Sequence, residues 1–581
     1  EEGIQAYYVP TADYHGSEYV NDFFKCRQYI TGFTGSAGTA VITEDDAGMW
    51  TDGRYFVQAE KELPSNISLM KMGEKGVPAI SAFLMNKCQS GEVIGFNGKL
   101  ITAAFYDELL NIVKEKNILL KTDFYVEDIF LSDRPRYNPT KAYIIEEKYS
   151  GETIKHKISR VRDDIKQNNY AAIFLTKLDD QMWVYNIRGN DIECNPVISC
   201  YSLIDAEKVH LFVREESLDK DITVYLKDAD VIVHNYNEVD EFLVSYINNC
   251  EGYVFCDKRY LNSSLYEILE NAHKGKYGIC CTEYFKSIKN ETEINNLKKA
   301  YIYDSAVVTR FIKFIKENRL NGITEVDASE KLDSMRSEIA DFIELSFPTI
   351  SAFGPNAAMM HYEASRDNCS VIEPNGIYLV DSGGQYMLGT TDVTRSIILG
   401  NITDEMKKSY TLSAVGMLRL MNAVFIKGCT GRNLDILARG ALWKYLSDYK
   451  CGTGHGIGHI LNVHEGPQNI GWQKRKNGID EEFKAGMIVS DEPGVYKADE
   501  YGIRIENILL CVEKGQSSDG DFLSFVPLTF VPLDNSGIDK SYMNSEDVEM
   551  YNNYQNMVYD IISPLLDEQD KSWLKIETSN I

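Results

Sequence analysis

The spacing of apolar positions changes several times along the chain, and each change marks an element. Near the start, Ala6-Tyr-Tyr-Val-Pro10 is a short apolar run that reads as a strand. A glycine-rich stretch from Tyr29 ends in Thr-Ala-Val-Ile-Thr43; the glycines supply turns, and the β-branched run after them reads as a second strand. Phe105 to Lys116 has the spacing of an amphipathic helix. Ser132 to Pro139 is polar, holds two prolines and reads as a linker. A similar order then recurs: a helix over Thr153–Asn168, a strand over Ala171–Leu175, the run Trp183–Gly189 and a strand over Val209–Val213. That recurrence points to a duplicated α/β unit.

A third segment opens near Tyr284. Asn290 followed by Glu293 has the form of a helix N-cap with an acid three residues on. Behind it Ile294, Leu297, Tyr301, Ala306, Val308, Phe311, Ile312 and Ile315 form a long helical stripe. From residue 346 short strands and glycine turns dominate. The tail from Tyr551 to Leu574 is amphipathic through Met557, Ile561, Ile562, Leu565 and Leu566. The expected division of the 581 residues is 1–135, 136–284 and 285–581.

Composition narrows the function classes. With 44% hydrophobic and 25% charged residues the chain is an ordinary globular protein, not a disordered or fibrous one. A net charge of −27 opposes binding to nucleic acid or to an anionic membrane. The basic runs Lys474-Arg475-Lys476 and Lys407-Lys408 are too short to override it. No apolar stretch approaches the ~18–20 residues that cross a bilayer. The twelve cysteines include no CxxC and lie mostly in apolar contexts, which fits reduced thiols and a cytoplasmic location.

The chemistry concentrates in the last third. Ile377–Gln385 reads as a strand ending in Asp381, and a second strand begins near Asp392; Gly383, Gly384 and Gly389 let the chain double back. An antiparallel pair built this way places both carboxylates at one end, facing each other, where they repel unless a cation sits between them. Either aspartate alone would pass for an acid capping a turn. Cys451-Gly-Thr-Gly-His-Gly-Ile-Gly-His459 continues to His464, so three of the nine histidines fall within ten residues. The glycines around His455 remove side-chain bulk and allow a close approach. His459 fits a surface place or a supporting one. Met487–Tyr496 delivers Asp491 and Glu492 before a Pro-Gly turn, and in Gly502–Ile508 the residues Arg504 and Glu506 share one face of a strand. Carboxylates with a single imidazole suit Mn²⁺, Co²⁺ or Zn²⁺, and the absence of cysteine ligands argues against structural zinc. Four carboxylates against two divalent ions come near neutrality, which favours a two-metal site.

The order Asp381, Asp392, His455, Glu492, Glu506 resembles the five-ligand pattern of the pita-bread metallopeptidases. The stretches VDSGGQYMLGTTDVTRS, GTGHGIGHILNVHEGP, VSDEPGVY and GIRIEN, with TGFTGSAGTAVIT and MWTDGRYFVQAEK near the start, resemble the long three-domain aminopeptidase P family. The resemblance implies two related N-terminal α/β (creatinase-like) domains followed by a catalytic domain with a curved antiparallel sheet and a C-terminal extension. It implies a metalloexopeptidase that hydrolyses the bond before a proline in second position, using a metal-bridging hydroxide. Asp381 would hold one ion, Asp392 and Glu506 both, and His455 and Glu492 the second, with Glu492 also shuttling a proton. His361 and His464 would steady the scissile carbonyl, Arg27 would reach toward substrate from a partner subunit, and Arg504 would pair with ligand carboxylates. Two divalent ions, Mn²⁺ first, and a homodimer are implied as well. Prolidase is the nearest alternative; a non-catalytic peptide-binding relative is the other, and it would lack metal ligands that this chain keeps. Some family members carry a histidine where Cys451 stands.

Overall fold

The structure is a computed structural model that describes residues 3–126, 129, 133–474 and 480–581. Ser132 of the expected linker, and Arg475 and Lys476 of the short basic run, lie outside the described residues. The chain forms two compact units, Glu1–Glu283 and Tyr284–Ile581.

The first unit holds two six-stranded mixed sheets. In space the first runs Ser68–Lys71, Ala47–Thr51, Thr39–Thr43, Ile4–Pro10, Val93–Gly95, Leu119–Lys121. The second runs Val231–Asn235, Val209–Val213, Cys200–Asp205, Ala172–Leu175, Val254–Cys256, Gly275–Tyr277. Numbered by sequence within each sheet, both have the order 4-3-2-1-5-6. Both also show the same succession of pairings: parallel, antiparallel, antiparallel, parallel, parallel. The loose recurrence in sequence is thus a repeated topology, in which Ala103–Lys116 and Ser263–Asn271 make the same parallel crossover between the fifth and sixth strands, while Ile154–Asn168 leads into the first strand of its sheet. The linker region after residue 133 has no regular element before Tyr143. One apolar core serves both sheets: Val41, Trp50, Ile94, Tyr106 and Leu109 belong to the same cluster as Phe174, Leu203, Phe212 and Leu265.

In the second unit every strand pairing is antiparallel among the described residues. Helix α1 (Glu291–Asn318) begins at a reciprocal cap: Asn290 accepts from the Glu293 amide at 3.0 Å, and the Glu293 carboxylate accepts from the Asn290 amide at 3.0 Å. Helix α2 (Glu325–Ser337) follows. Both pack on a three-stranded sheet of β1 (Ile350–Phe353), β2 (Gly376–Ser382) and β3 (Val393–Leu399). Val307, Phe311 and Leu332 meet Tyr378, Val380 and Ile397 there.

Beyond it, β4 (Gly454–Gly456), β5 (Glu465–Ile470), β6 (Ile488–Asp491), β8 (Asn507–Ser517) and β9 (Gly520–Pro527) belong to a six-stranded sheet. β7 (Tyr501–Arg504) pairs with Gly494–Lys497 in a separate ribbon. In the tail helix Ser545–Ile562 the residues Tyr551, Tyr554, Val558 and Ile562 are buried in this unit's own core, while Met557 is 37% and the following Leu565 45% exposed.

Candidate metal centre

The site assembles where strands β2, β3, β4, β6 and β7 end or begin. β2 and β3 pair with Asp381 opposite Thr394 and Ser382 opposite Val393, so Asp392 lies one residue past the last pair. The two aspartates are therefore diagonal neighbours rather than directly opposed. The connection between them is not a bare turn, because Gly384–Tyr386 and Gly389–Thr390 pair as a hairpin of their own. Gly383 is required there: a Cβ would lie 2.0 Å from the Thr391 carbonyl oxygen and 2.3 Å from Ser346 Oγ.

His455 sits in the middle of β4. The close approach anticipated from its flanking glycines is that of neighbouring strands, since a Cβ on Gly454 would stand 1.9 Å from the Ser490 carbonyl oxygen. The His455 amide donates to Ser490 Oγ at 2.9 Å, and that hydroxyl donates to Glu492 Oε1 at 3.1 Å. One serine thus ties the backbone of the histidine to the carboxylate beyond β6. His455 Nδ1 lies 2.9 Å from the Gly456 carbonyl oxygen. A carbonyl only accepts, so this contact assigns a proton to Nδ1 and turns Nε2 toward the acids, where a cation can take its lone pair. Nε2 is 3.6 Å from Asp392 Oδ2 and 3.4 Å from Glu492 Oε1. One ligand atom from each of Asp392, His455 and Glu506 can be chosen with all three within 4.8 Å of one another. The His464 ring meets His455 edge-on, 4.4 Å between centroids and 87° between planes.

Arg504, at the end of β7, joins the cluster from the side. Its guanidinium donates to Asp381 Oδ2 at 2.5 Å, Thr394 Oγ1 at 3.1 Å, the Tyr496 hydroxyl at 2.8 Å and the Met360 carbonyl at 3.3 Å. The Thr394 hydroxyl in turn donates to Glu506 Oε2 at 2.8 Å.

Burial and mutual repulsion set the electrostatics. Asp381, Asp392 and Glu506 are 8%, 4% and 2% exposed. Burial, then the charges of Asp381 and Glu492, hold the Asp392 carboxyl well above the usual carboxylate range. Glu506 is raised well above its ordinary value by burial and then by Asp392, Asp381 and Glu492. Glu492 is pushed up to about 7, by burial first, against the pull of Arg504. Asp381 Oδ1 is buried with no hydrogen-bond partner among the described residues. Converging buried carboxylates, one orphaned oxygen and an imidazole lone pair aimed among them are the donor set of a hard or borderline divalent cation. The residues present fit such ions.

The remaining expected residues fall as follows. His361, in the loop after β1, and His464, just before β5, are both half-buried. His459 is 4% exposed, which removes the surface alternative for it. Arg27 belongs to the first unit and is 3% exposed. It donates to Thr11 Oγ1 at 2.9 Å and to the carbonyl oxygens of Phe33 and Gly35, and burial draws its pKa down to about 10. Cys451 is half-buried, its thiol pushed up to about 12 by burial and by Glu492. Sequence reasoning missed Thr394, Ser490 and Tyr496. The first two carried a signal, since each lies two residues along a strand from a ligand and so shares its face.

Comparison with known proteins places this geometry in a class. Residues 295–513 match the metallopeptidase family M24, and residues 521–581 match the C-terminal region of the same peptidases. Residues 1–123 and 133–293 each match the creatinase/prolidase N-terminal domain. The antiparallel unit with its acid cluster is thus the pita-bread domain of a metallopeptidase.

A probable Xaa-Pro aminopeptidase P of Paracoccidioides brasiliensis is 36% identical over all of this chain and 97% of its own length. One of Neurospora crassa is 37% identical over all of this chain and 87% of its own. The crystal structure of X-prolyl aminopeptidase from Caenorhabditis elegans, described as a cytosolic enzyme with a di-nuclear active site, superposes with a TM-score of 0.95 at 32% identity. It covers 100% of this chain and 95% of that one. An Xaa-Pro dipeptidase from Bacillus anthracis shares the fold over 66% of this chain, with a TM-score of 0.53 and 24% identity. The chain belongs to the Xaa-Pro aminopeptidase P family of M24 metallopeptidases.

Proposed function

We propose that this protein removes the first residue from peptides that carry proline second, with two divalent cations held by Asp381, Asp392, His455, Glu492 and Glu506. The observation that carries the reading is the buried acid cluster with its orphaned Asp381 oxygen and the Nε2 face of His455 turned into it. Mn²⁺ is the first choice, with Co²⁺ or Zn²⁺ compatible with the same donors. When bound, the ions supply Lewis acidity and a water of lowered pKa.

The chain's own groups do the rest. Asp381 is held in place by Arg504, and Glu506 by Thr394, so the acids face one another without reorganising. Glu492, fixed by Ser490, takes up a proton at its carboxylate and returns it to the departing proline nitrogen. His361 and His464 donate to the carbonyl oxygen as it gains charge. An Xaa-Pro bond is a tertiary amide without an N–H, so a site for it cannot grip the bond by that proton. A carbonyl-centred grip of this kind does not need one.

The same reading takes the chain as segments 1–135, 136–284 and 285–581, working as a cytosolic homodimer in which Arg27 reaches the partner's substrate. The exposed Met557 and Leu565 support a tail contact between copies, and the cytosolic description of the C. elegans enzyme supports the compartment. Full-length likeness to aminopeptidases, against partial likeness to a dipeptidase, favours peptides over dipeptides. The test is hydrolysis of an Xaa-Pro-Pro tripeptide and an Xaa-Pro dipeptide by metal-stripped protein with and without Mn²⁺. Manganese-dependent release of the first residue from the tripeptide, with the dipeptide much slower, is expected. Dipeptide cleavage alone would make the protein a prolidase, and no cleavage of either by metal-loaded protein would sink the proline assignment.

A further inference from the structure

Glu325 is the first residue of α2 and is fully buried, at 0% exposure. No cationic side chain pairs with it among the described residues. Its charge is met by the helix N-terminus and by hydrogen-bond donors, all of them from one segment. The Phe353 amide donates to Oε1 at 2.6 Å and the Ser370 amide to Oε2 at 2.6 Å. The Tyr362 hydroxyl donates to Oε2 at 2.9 Å, and Asn356 Nδ2 bridges both oxygens at 3.1 Å. The Glu325 backbone adds to this: its amide donates to the Ser370 carbonyl at 3.0 Å, and its carbonyl accepts from Ser351 Oγ at 2.6 Å.

One carboxylate therefore fastens the beginning, the middle and the end of the excursion between residues 353 and 370. That excursion carries His361. On one side of it the Met360 carbonyl is held by Arg504, the arginine bound to Asp381; on the other, Tyr362 is held by Glu325. The imidazole stands between two anchored neighbours, one tied to the acid cluster and one to α2.

We propose that Glu325 is a positioning residue, which sets the place of His361 on the substrate side of the site. The proposal rests on the reading of His361 as a substrate-side group. Glutamine is not a conservative replacement. Each oxygen of Glu325 faces a backbone N–H, so a glutamine NH₂ opposes an N–H donor whichever way it turns. The loop end it opposes is released.

The experiment is a double-mutant cycle in the metal-loaded full chain, with Glu325→Gln, His361→Ala and the pair, measured on an Xaa-Pro peptide. Glu325→Gln is expected to lower kcat by about tenfold or more with KM changed by less than about threefold, as for a group acting in the transition state. In the His361→Ala background the same change is expected to cost under about twofold, because its target is gone. Full additivity of the two losses overturns the positioning role while leaving His361 at the substrate. Near wild-type activity of His361→Ala alone refutes the reading of His361, and the proposal with it.

If Glu325→Gln does not fold, Tyr362→Phe, which deletes a single hydroxyl, replaces it in the cycle with an expected loss of about threefold. A histidine-selective NMR spectrum gives the second readout. The His361 ring signal is expected to move in either variant while the other eight of the nine histidines stay in place. A His361 signal that stays put overturns the proposal.

Discussion

Glu465 follows His464 and opens β5. It accepts from Lys286 Nζ at 3.0 Å and from Lys289 Nζ, and the three side chains are 3%, 2% and 0% exposed respectively. Two buried cations share one buried anion, so the consequences of removing either kind of partner differ. Glu465→Gln leaves two ammonium groups facing each other and a neutral amide. Breaking a buried pair by deleting one partner costs ~3–5 kcal/mol, and the loss of the same anion by two buried cations places this variant at the upper end of that range. Lys289→Met leaves the ordinary one-to-one pair of Lys286 with Glu465. Its loss is two hydrogen bonds from a charged donor, one to Glu465 and one to the Ile457 carbonyl at 2.6 Å, or ~3 kcal/mol at about 1.5 kcal/mol each.

The sign of the coupling is the sharper expectation. Adding Lys289→Met to Glu465→Gln removes one of the two buried cations that lost this anion, so the double variant is more stable than Glu465→Gln alone. The assay is urea unfolding followed by hydrogen-exchange mass spectrometry on peptides from the second unit, comparing midpoints at constant slope. A double variant that loses the sum of the single losses, or Lys289→Met costing more than Glu465→Gln, would refute the charge argument. Packing would then be what these side chains contribute.

Two further outcomes follow from the acid cluster and from one glycine. Glu492, Asp392 and Glu506 all have folded pKa values above their unfolded ones in the cation-free protein. The stability they contribute is present below about pH 4 and is lost as pH rises through about 7, where Glu492 ionises. Metal-stripped protein should accordingly melt lower as pH is raised from about 5 to 8. The gap to metal-loaded protein should widen over the same range, with affinity rising about tenfold per pH unit for each proton displaced; a gap independent of pH in calorimetry would contradict the assignment. Gly383→Ala forces the connection between the two aspartates apart at the Thr391 carbonyl. It is expected to lose ~1–3 kcal/mol of stability and at least tenfold in metal affinity by titration, and unchanged affinity would show that the connection does not set the site.

Much of this arrangement was legible in the sequence, and the misses share a cause. The helix from Glu291 could be read from its cap and apolar stripe, because both are local signals. The expected metal ligands could be read because the four acids lie at strand ends, and His455 stands between glycines whose absent side chains matter. What local reading could not supply was register. It placed Asp381 and Asp392 face to face, whereas the small hairpin between them shifts Asp392 one residue past the ladder. It also gave the glycines at His455 to an approaching ligand, whereas the Ser490 backbone approaches Gly454. Glu325 left no local trace at all. It looks like any acid in the first turn of a helix, and only the return of the chain at residues 353–370 reveals its partners.

The shared core of the first unit bears on how the chain is made. The strands between Ile4 and Lys121 are complete early in synthesis, yet Tyr106, Leu109 and Ile112 share a core with Tyr201, Phe212, Leu265 and Leu269. Asp107 likewise takes its partners from the later half, Lys258 after the strand Val254–Cys256 and Tyr266 in the helix Ser263–Asn271. The first sheet leaves the ribosome with this face bare and stays so for more than a hundred residues of further translation. At about 5–20 residues per second that is roughly 5–30 s. The break in regular structure after residue 133 therefore joins two halves that mature together, and a stalled or truncated product ending there would present chaperones with an unpaired apolar face rather than a finished domain.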